Sequence, residues 1–329
     1  MTNKLFHTLA ILAVAAFAGQ SSQLVAQSTH VPDGIGQDAL SWNRLHVPLK
    51  PQAAVRPSTG SQQDAVAQGL AKTKVYKFRT VDYPAATNTP IWDYNDGIAV
   101  GYFDFGNSAD TAFYYKGTTN HILTMPGSLD SRLIGINALG QMVGSYSDST
   151  RTHGFVYDGT TFTTLDFPNS IYTEADGINT SGEIVGALID QGLVIHGFLY
   201  ANGKFTQLDC PNSEETFAYG INATGDIVGY CYYNSIYHGF LLSNKNYTAI
   251  DYPGAKSTHA NGINDVGAIA GNYEDATTTH GFTYIDGVFT QVDVGGGAVA
   301  TSLFRITNTK NVVGYYQDSI GELHGVIGK

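Results

Sequence analysis

Apolar and polar residues alternate over short stretches along most of the chain, which is the pattern of half-buried β-strands. One segment shows it clearly, with four strand-like runs at Thr173–Asn179, Glu183–Ile189, Ile195–Tyr200 and Lys204–Asp209. The third and fourth runs are separated by Asn202-Gly203, a dipeptide that favours a tight hairpin. Beyond the N-terminal apolar stretch, no segment shows the period of a helix. The pattern therefore predicts an all-β protein.

The same four-strand arrangement recurs with a period of 42 or 43 residues. A Val-Gly or Ala-Gly dipeptide marks this period, with its glycines at positions 101, 144, 186, 229, 271 and 314. A His-Gly-Phe tripeptide follows the same spacing. Its histidines are His153, His196, His238 and His280, and His324 begins a shortened copy. Repeats of this length with four strands each are typical of propeller blades.

The two ends of the repeated region complement each other. A fourth-strand segment, Val75–Asp82, precedes the first complete unit, and the last unit stops after its third strand at Lys329. We expect Val75–Asp82 to pair with His324–Ile327, because this pairing leaves no incomplete blade with an exposed edge. The prediction is a six-bladed β-propeller of four-stranded blades. A linear β-solenoid is the alternative, although it does not require complementary ends.

The N-terminal residues differ from the repeated region in composition. Lys4 and the apolar stretch Leu5–Phe17 are typical of a signal peptide, with cleavage expected after Ala18 or Ala26. An uncleaved anchor is the alternative. The predicted organisation is a signal peptide over residues 1–26, a flexible linker over residues 27–73 and a propeller domain over residues 74–329. This organisation predicts a secreted, extracellular or periplasmic protein.

Charge and cysteine content narrow the choice of partners. Residues 75–329 hold 11 basic and 25 acidic side chains, a net charge of −14. Such a surface repels nucleic acids and anionic membranes, and it leaves glycans or a cell-surface protein as candidate partners. The two cysteines, Cys210 and Cys231, are too few for a disulfide framework. A single bridge and two semi-buried thiols both remain open.

Two repeated runs give the chain a resemblance to a known family. They read Gly-Ile-Asn-x-x-Gly-x-Ile/Val-Val-Gly and His-Gly-Phe-x-Tyr-x-x-Gly-x-Phe-Thr-x-Leu-Asp. With these runs the chain resembles the HAF-repeat family of extracellular proteins over essentially everything after Thr73. The first unit departs from the pattern, and the last reads Arg305-Ile-Thr-Asn308. The resemblance implies a secreted location and supplies no catalytic residues.

The repeated histidines raise the question of metal binding or acid–base catalysis. They lie on the third strand of each unit, about two strand spacings of roughly 4.8 Å from the innermost strand. Histidines of neighbouring blades therefore diverge and do not meet at one ion. We interpret His153, His196, His238, His280 and His324 as structural, each hydrogen-bonded within its own blade. No cofactor, metal ion or catalytic residue is predicted.

The candidate site lies on the innermost strands, where side chains of different blades approach the axis. Two variable positions precede the Gly-Ile-Asn run of each unit and face the same side of the strand. We call the earlier ones the mouth positions and the later ones the axial positions. The mouth positions are Arg132, Glu174, Phe217, His259 and Ser302. The axial positions are Ile134, Asp176, Tyr219, Asn261 and Phe304, with Trp92 and Asp93 nearby in the first unit.

These residues suggest a polar ligand pocket at the mouth of a central channel. The predicted ligand-binding residues are Trp92, Arg132, Glu174, Asp176, Phe217, Tyr219, His259, Asn261 and Phe304. They predict a non-enzymatic propeller that binds a ligand, a glycan or a protein. One alternative is a hydrolase or lyase acting on a polar substrate such as a carbohydrate, with the carboxylates of Glu174 and Asp176 taking part. Another is a structural envelope or matrix protein whose channel is merely filled.

Overall fold

The computed structural model describes residues 75–106 and 109–329. The predicted signal peptide (residues 1–26) and linker (residues 27–73) lie outside the described residues. The described part of the chain forms strands and turns without a helix, and so contains no helix long and apolar enough to cross a membrane. The prediction of an all-β protein is confirmed.

The first strands follow one another through short turns. They are β1 (Phe78–Val81), β2 (Asn88–Thr89), β3 (Ile91–Asn95), β4 (Ile98–Phe103), β5 (Thr111–Lys116) and β6 (Thr119–Ile122). The next eight are β7 (Asp130–Ile136), β8 (Met142–Ser147), β9 (Thr152–Tyr157), β10 (Phe162–Leu165), β11 (Tyr172–Ile178), β12 (Ile184–Ile189), β13 (Ile195–Ala201) and β14 (Lys204–Leu208).

The second half of the chain continues the same succession. Its strands are β15 (Glu215–Ile221), β16 (Ile227–Tyr233), β17 (Ile236–Ser243), β18 (Asn246–Ala249), β19 (Ser257–Ile263), β20 (Ile269–Glu274), β21 (Thr279–Ile285) and β22 (Val288–Gln291). The last are β23 (Ala300–Ile306), β24 (Val312–Gln317) and β25 (Leu323–Gly328).

Antiparallel pairing between consecutive strands builds the sheets. The strands β3–β6, β15–β18 and β19–β22 each form a separate four-stranded sheet. The strands β7–β14 form one eight-stranded sheet, in which two antiparallel groups of four meet at a single parallel pair, Tyr172 with Thr152. A five-stranded sheet contains β23–β25 together with β1 and β2.

The pairing expected between the two ends of the repeated region is present. Strand β1 runs antiparallel to β25, with Phe78 opposite Gly328 and Val81 opposite Gly325. Lys77 and Lys329 extend the ladder with two backbone hydrogen bonds of 3.0 and 3.1 Å. The last sheet therefore takes its outer strand from the beginning of the described chain.

The innermost strands surround a common axis. In chain order they are β3, β7, β11, β15, β19 and β23; each contacts the next, and β23 contacts β3. A closed ring of sheets that each start at an inner strand is the architecture of a β-propeller. The propeller prediction is confirmed at this level.

The repeated glycines and phenylalanines explain how the sheets pack. The ring of the His-Gly-Phe phenylalanine is fully buried at Phe155 and Phe198, inside clusters that join one group of four strands to the next. The Val-Gly glycine lies against the inner strand so closely that a Cβ at Gly186 would collide with the carbonyl oxygen of Glu174. The period read from the sequence is therefore a packing requirement of the strands.

A disulfide joins Cys210, in the turn after β14, to Cys231 on β16, with their Cα atoms 6.2 Å apart. Both cysteines are buried in the cluster between two neighbouring strand groups. Of the two possibilities left open by the sequence, the structure therefore contains the bridge.

Candidate functional site

Each inner strand carries a β-bulge at its axial position. In β11, for example, Ala175 pairs with Gly186 and Gly177 pairs with Val185, so Asp176 has no partner across the ladder. The same shift occurs in the other inner strands. The bulged residues are Trp92, Ile134, Asp176, Tyr219, Asn261 and Phe304. The bulge therefore assigns Trp92 to the axial set, a register that the sequence alone leaves uncertain.

The axial positions are packed together at the centre of the ring. The rings of Trp92 and Phe304 lie 4.0 Å apart and those of Trp92 and Tyr219 lie 6.4 Å apart. Trp92, Tyr219 and Phe304 are at most 8% exposed and belong to one buried cluster, which also contains Phe217. The structure thus brings these predicted site residues together, but as core side chains.

Below the axial positions, an arginine occupies the centre of the ring. Arg305 lies 3.3 Å from the carboxylate of Asp93, measured between Nε and Oδ2. Its other two guanidinium nitrogens donate hydrogen bonds of 2.6 to 3.0 Å to backbone carbonyls near the axis. These carbonyls belong to Asp176, Tyr219, Asn261 and Phe304. One side chain thus cross-links four inner strands.

The space for Arg305 exists because the corresponding residue in four units is glycine. A Cβ at Gly177 would lie 2.7 Å from the carbonyl oxygen of Tyr219. The strand registers place Asp93 and Arg305 at this position in the first and last units. Sequence reasoning missed the pair as a contact. The available signal was that two charged residues of opposite sign replace the repeated glycine.

Asp176 is the least compensated charge-bearing side chain near the axis. It is 1% exposed, and among the described residues no group donates a hydrogen bond to either carboxyl oxygen. Burial and, secondly, the neighbouring carboxylate of Glu174 raise the pKa of Asp176 well above its usual value, although Arg305 opposes this shift. Both causes favour the neutral carboxylic acid over the carboxylate at this position.

The mouth positions form a more polar layer above the axial cluster. Arg132 donates a 2.6 Å hydrogen bond to Asp110 and lies over the ring of Tyr102, 5.1 Å from its centroid. The carboxylate of Glu174 accepts hydrogen bonds of 2.8 Å from Ser145 and Tyr172. Arg132 keeps a quarter of its side chain exposed. This layer therefore presents a cation above buried acids and aromatic rings.

His259 belongs to a second polar network at the mouth. Its Nδ1 atom lies 3.0 Å from the side-chain amide of Asn272, and that residue accepts a 2.7 Å hydrogen bond from Asn261. The rings of Tyr230 and Tyr237 lie 4.3 and 5.3 Å from the imidazole. Mouth and axial positions are thus linked within one unit.

The asparagine of each Gly-Ile-Asn run forms a ladder around the opposite end of the inner strands. Its Oδ1 accepts backbone hydrogen bonds within its own turn, as Asn179 does from Ser181 and Glu183. Its Nδ2 donates to a carbonyl of the next unit. The pairs are Asn137 to Asn179, Asn179 to Asn222, Asn222 to Asn264 and Asn264 to Thr307, at 2.9 to 3.3 Å.

The five repeated histidines each contact an aspartate of their own sheet, as the structural interpretation expects. The Nδ1 contacts are His153–Asp166, His196–Asp209, His238–Asp251, His280–Asp293 and His324–Asp82, at 2.7 to 3.0 Å. One group in the described part of the chain, Asp318, Glu322 and His324, brings three potential metal-ligand atoms within 4.8 Å. Asp318 also accepts two backbone hydrogen bonds of its turn.

Neither a protein-family model nor a curated protein matches the chain. Solved structures of similar fold include an arginine-to-alanine triple mutant of AofleA from Arthrobotrys oligospora, with 10% identity and a TM-score of 0.49 over 78% of this chain and 88% of that one. The β-propeller domain of the Trilobed protease from Pyrococcus furiosus has 10% identity and a TM-score of 0.47, covering 74% and 94% of the two chains. The fucose-specific lectin from Aleuria aurantia has 16% identity and a TM-score of 0.46, covering 73% and 92%. At these identities the likeness is one of fold alone.

Proposed function

We propose that the chain is a secreted six-bladed propeller of the HAF-repeat type that acts as a non-enzymatic binding scaffold for a glycan or a cell-surface protein. The count of six treats the eight-stranded sheet as two blades, because one parallel pair, Tyr172 with Thr152, joins its two halves. It treats β1 as the fourth strand of the last blade.

Export from the cytoplasm is supported by two independent features. The N-terminal sequence is typical of a signal peptide, with its apolar stretch at Leu5–Phe17. The bridge between Cys210 and Cys231 is of a kind that persists in oxidising compartments. The scaffold would therefore meet its ligand outside the cytoplasm.

The observation that carries the binding proposal is the arrangement of the mouth positions. They are the places where the repeated units differ, and they lie around one end of the axis. Arg132 is partly exposed there and lies over the ring of Tyr102, and the half-buried Tyr237 and Tyr315 pack against the axial cluster. A cation beside aromatic rings and hydrogen-bonding groups suits a polar ligand with an apolar face.

The two alternatives receive different support. A hydrolase or lyase requires acids that reach the substrate, whereas Asp176 is 1% exposed and Glu174 is 8% exposed. The structural alternative is favoured by the packed axial cluster of Trp92, Tyr219 and Phe304, which leaves the binding surface to the mouth. Binding at the mouth and a filled axis are compatible with each other.

A glycan array, followed by pull-down of cell-surface proteins, tests the binding function. We expect a saturable ligand whose affinity falls at least tenfold in the variants Arg132→Gln and Tyr237→Ala. Arg151→Gln is the matched control, because Arg151 also forms a 2.6 Å ion pair, with Asp166, but lies outside the mouth positions. Absence of any ligand, or a ligand whose affinity the two mouth variants leave unchanged, would count against the proposal.

A further inference from the structure

The first unit lacks the His–Asp contact that the other units share. The buried Phe113 pairs with Gly101 just as Phe155 pairs with Gly144, which fixes the equivalence of the two units. Two residues earlier, Thr111 stands where the second unit has His153. Just after the outer strand β6, Thr124 likewise stands in place of the histidine's partner. Two small side chains therefore replace an imidazole and a carboxylate.

A cavity of about 180 Å³ occupies this place, between the first two strand groups. Its walls come from β5, from the turn that follows β6 and from the start of β7. The lining residues are Asp110, Thr111, Leu123, Thr124, Ser128, Leu129, Asp130 and Ser131. The volume lies below the roughly 300 to 1,000 Å³ of pockets for drug-sized ligands. It suits a single ring rather than a chain.

Two carboxylates give the cavity its polar character. Asp130 accepts a hydrogen bond of 2.9 Å from the backbone amide of Asp110 through Oδ2. Asp110 accepts the 2.6 Å hydrogen bond from Arg132 through its own Oδ2. Among the described residues, neither carboxylate uses its Oδ1 atom in these two hydrogen bonds, which leaves that atom for a ligand. Burial raises the pKa of Asp110 to about 6, with Asp130 adding to the shift and Arg132 opposing it.

The remaining walls combine hydroxyl groups with aliphatic side chains. Thr111 and Thr124 offer hydroxyls, whereas the hydroxyl of Ser128 donates to the carbonyl of Met125 and that of Ser131 accepts from the amide of Ala112. Leu123 and Leu129 offer apolar surface. Leu129 is 62% exposed, although it lies beside this cavity. Acceptors and hydroxyls together with aliphatic carbon match a sugar ring, which carries hydroxyls at its rim and C–H groups on its faces.

A metal ion matches the cavity less well. Within residues 75–106 and 109–329, Asp110 and Asp130 are not part of any group that brings three ligand atoms within 4.8 Å. An anionic ligand is disfavoured as well, because two carboxylates face one arginine here. A neutral ligand that donates hydrogen bonds meets neither objection.

We propose that this cavity is a binding subsite for one neutral, pyranose-sized sugar ring, with Asp110 and Asp130 accepting hydrogen bonds from its hydroxyls. The inference rests on the proposed binding function and assigns part of it to a place between two blades. It also explains why the first unit departs from the His-Gly-Phe pattern. In the other units a histidine and an aspartate in contact stand at the positions of Thr111 and Thr124.

The test restores the missing pair. In the double variant Thr111→His with Thr124→Asp, the cavity is filled as in the other units. Methyl glycosides of neutral hexoses, an amino sugar and a uronic acid serve as probes in calorimetric titrations and ligand-observed NMR. We expect the wild type to bind a neutral glycoside better than the uronic acid. We expect the double variant to raise the Kd at least tenfold.

The matched control opens the equivalent space elsewhere. In the variant His280→Thr with Asp293→Thr, the residues in the places of Asp110 and Asp130 are Thr279 and Ala300, so the opened space lacks the two carboxylates that the proposal assigns to the sugar. This control should bind the glycoside as the wild type does, with no second site. If the filled variant does not fold, Asp130→Asn, which preserves the shape of the side chain, tests the same subsite. We expect this variant to bind the glycoside about tenfold more weakly.

Two results overturn the subsite without touching the mouth. One is a glycoside affinity that is equal in the wild type and the filled variant but lost in Tyr237→Ala, which assigns binding to the mouth alone. The other is a wild type that binds none of the probes. Binding of larger ligands at the mouth is tested separately, by the glycan array. Unchanged affinity in Asp130→Asn also contradicts the proposal.

Discussion

Arg305 and Asp93 meet at 3.3 Å beside the axis, although 212 positions separate them in the chain. Each replaces a glycine of the repeat, one in the last unit and one in the first. Burial raises the pKa of Asp93, while Arg305 and the backbone amides of Ile136 and Tyr94 oppose the shift. The contact thus links the two ends of the repeated region at the centre, as β1 and β25 link them at the rim.

Replacing Arg305 by methionine should destabilise the protein by about 3 to 5 kcal/mol, because a buried carboxylate loses its partner. Four backbone carbonyls lose their donor as well. The double variant Arg305→Met with Asp93→Asn should recover part of this loss, since no charge remains unpaired. Urea unfolding of the four proteins measures the coupling. Additive losses would show that the two side chains act independently.

Replacing Asp176 by asparagine should stabilise the protein at neutral pH. A carboxyl whose pKa is higher in the folded than in the unfolded protein stabilises the fold at low pH. This stabilisation is complete below the unfolded pKa of about 4 and is lost as the pH rises through the folded pKa. Asparagine has the same shape and does not ionise. Unfolding free energies between pH 4 and 8 should therefore fall with pH less steeply in the variant. Parallel profiles would contradict a raised pKa.

The seam between β1 and β25 should loosen as pH rises. Burial lowers the pKa of His324, but hydrogen bonds and charges of Asp82 and Asp318 outweigh it, and the net shift is upward. The stabilisation by the protonated imidazole of His324 is complete below its unfolded pKa of about 6.5. It is lost as the pH rises through the pKa of His324 in the folded protein. Hydrogen exchange of the β1 amides, compared with His324→Asn, measures this. A pH-independent difference in exchange between the two proteins would be the contrary result.

Removing the disulfide should lower stability by about 3 kcal/mol, since it closes a loop of 21 residues. The variant Cys210→Ser with Cys231→Ser and the reduced wild type should unfold at similar guanidinium concentrations. A reductant should leave the serine variant unchanged, which controls for other effects of the reagent. Equal stability of the oxidised protein and the variant would argue against the bridge in solution.

The asparagine ladder should contribute both within and between units. Asn179→Ala removes two backbone hydrogen bonds of the turn, one bond to the carboxylate of Glu183 and one to the carbonyl of Asn222, and we expect a loss of about 1 to 3 kcal/mol. Asn246→Ala is the control, because its amide contacts only a neighbouring turn carbonyl at the surface. That control should change stability by less than about 0.5 kcal/mol. Similar losses of stability in both variants would show that the ladder contributes no more than an ordinary surface hydrogen bond.

The sequence predicted what every unit repeats and missed what only single units contain. Residues such as Phe155 and His153 recur with the period, so their burial and their contacts within a sheet follow from the pattern. The first unit lacks the Gly-Ile-Asn run that fixes the register of the others, and the axial position of Trp92 therefore required coordinates. The contact of Arg305 depends on ring closure, which brings distant units together and is not encoded at either residue alone.

The interpretation of the axial positions shows a second limit. Polar and aromatic residues at variable positions predicted an open pocket, and the structure packs Tyr219 and Phe304 into a buried cluster. The cause is the small space at the axis, where side chains of several strands converge. The binding roles predicted for the nine candidate residues remain predictions. Among these nine, Arg132, Glu174 and His259 are the polar residues at the mouth positions.

The guanidinium of Arg305 satisfies inward-facing carbonyl oxygens in the way that a coordinated cation satisfies its ligands. Because this cation is covalently attached, dilution does not remove it and competing ions do not exchange with it. The centre of the ring thus keeps its occupant whatever the ionic composition of the surrounding medium.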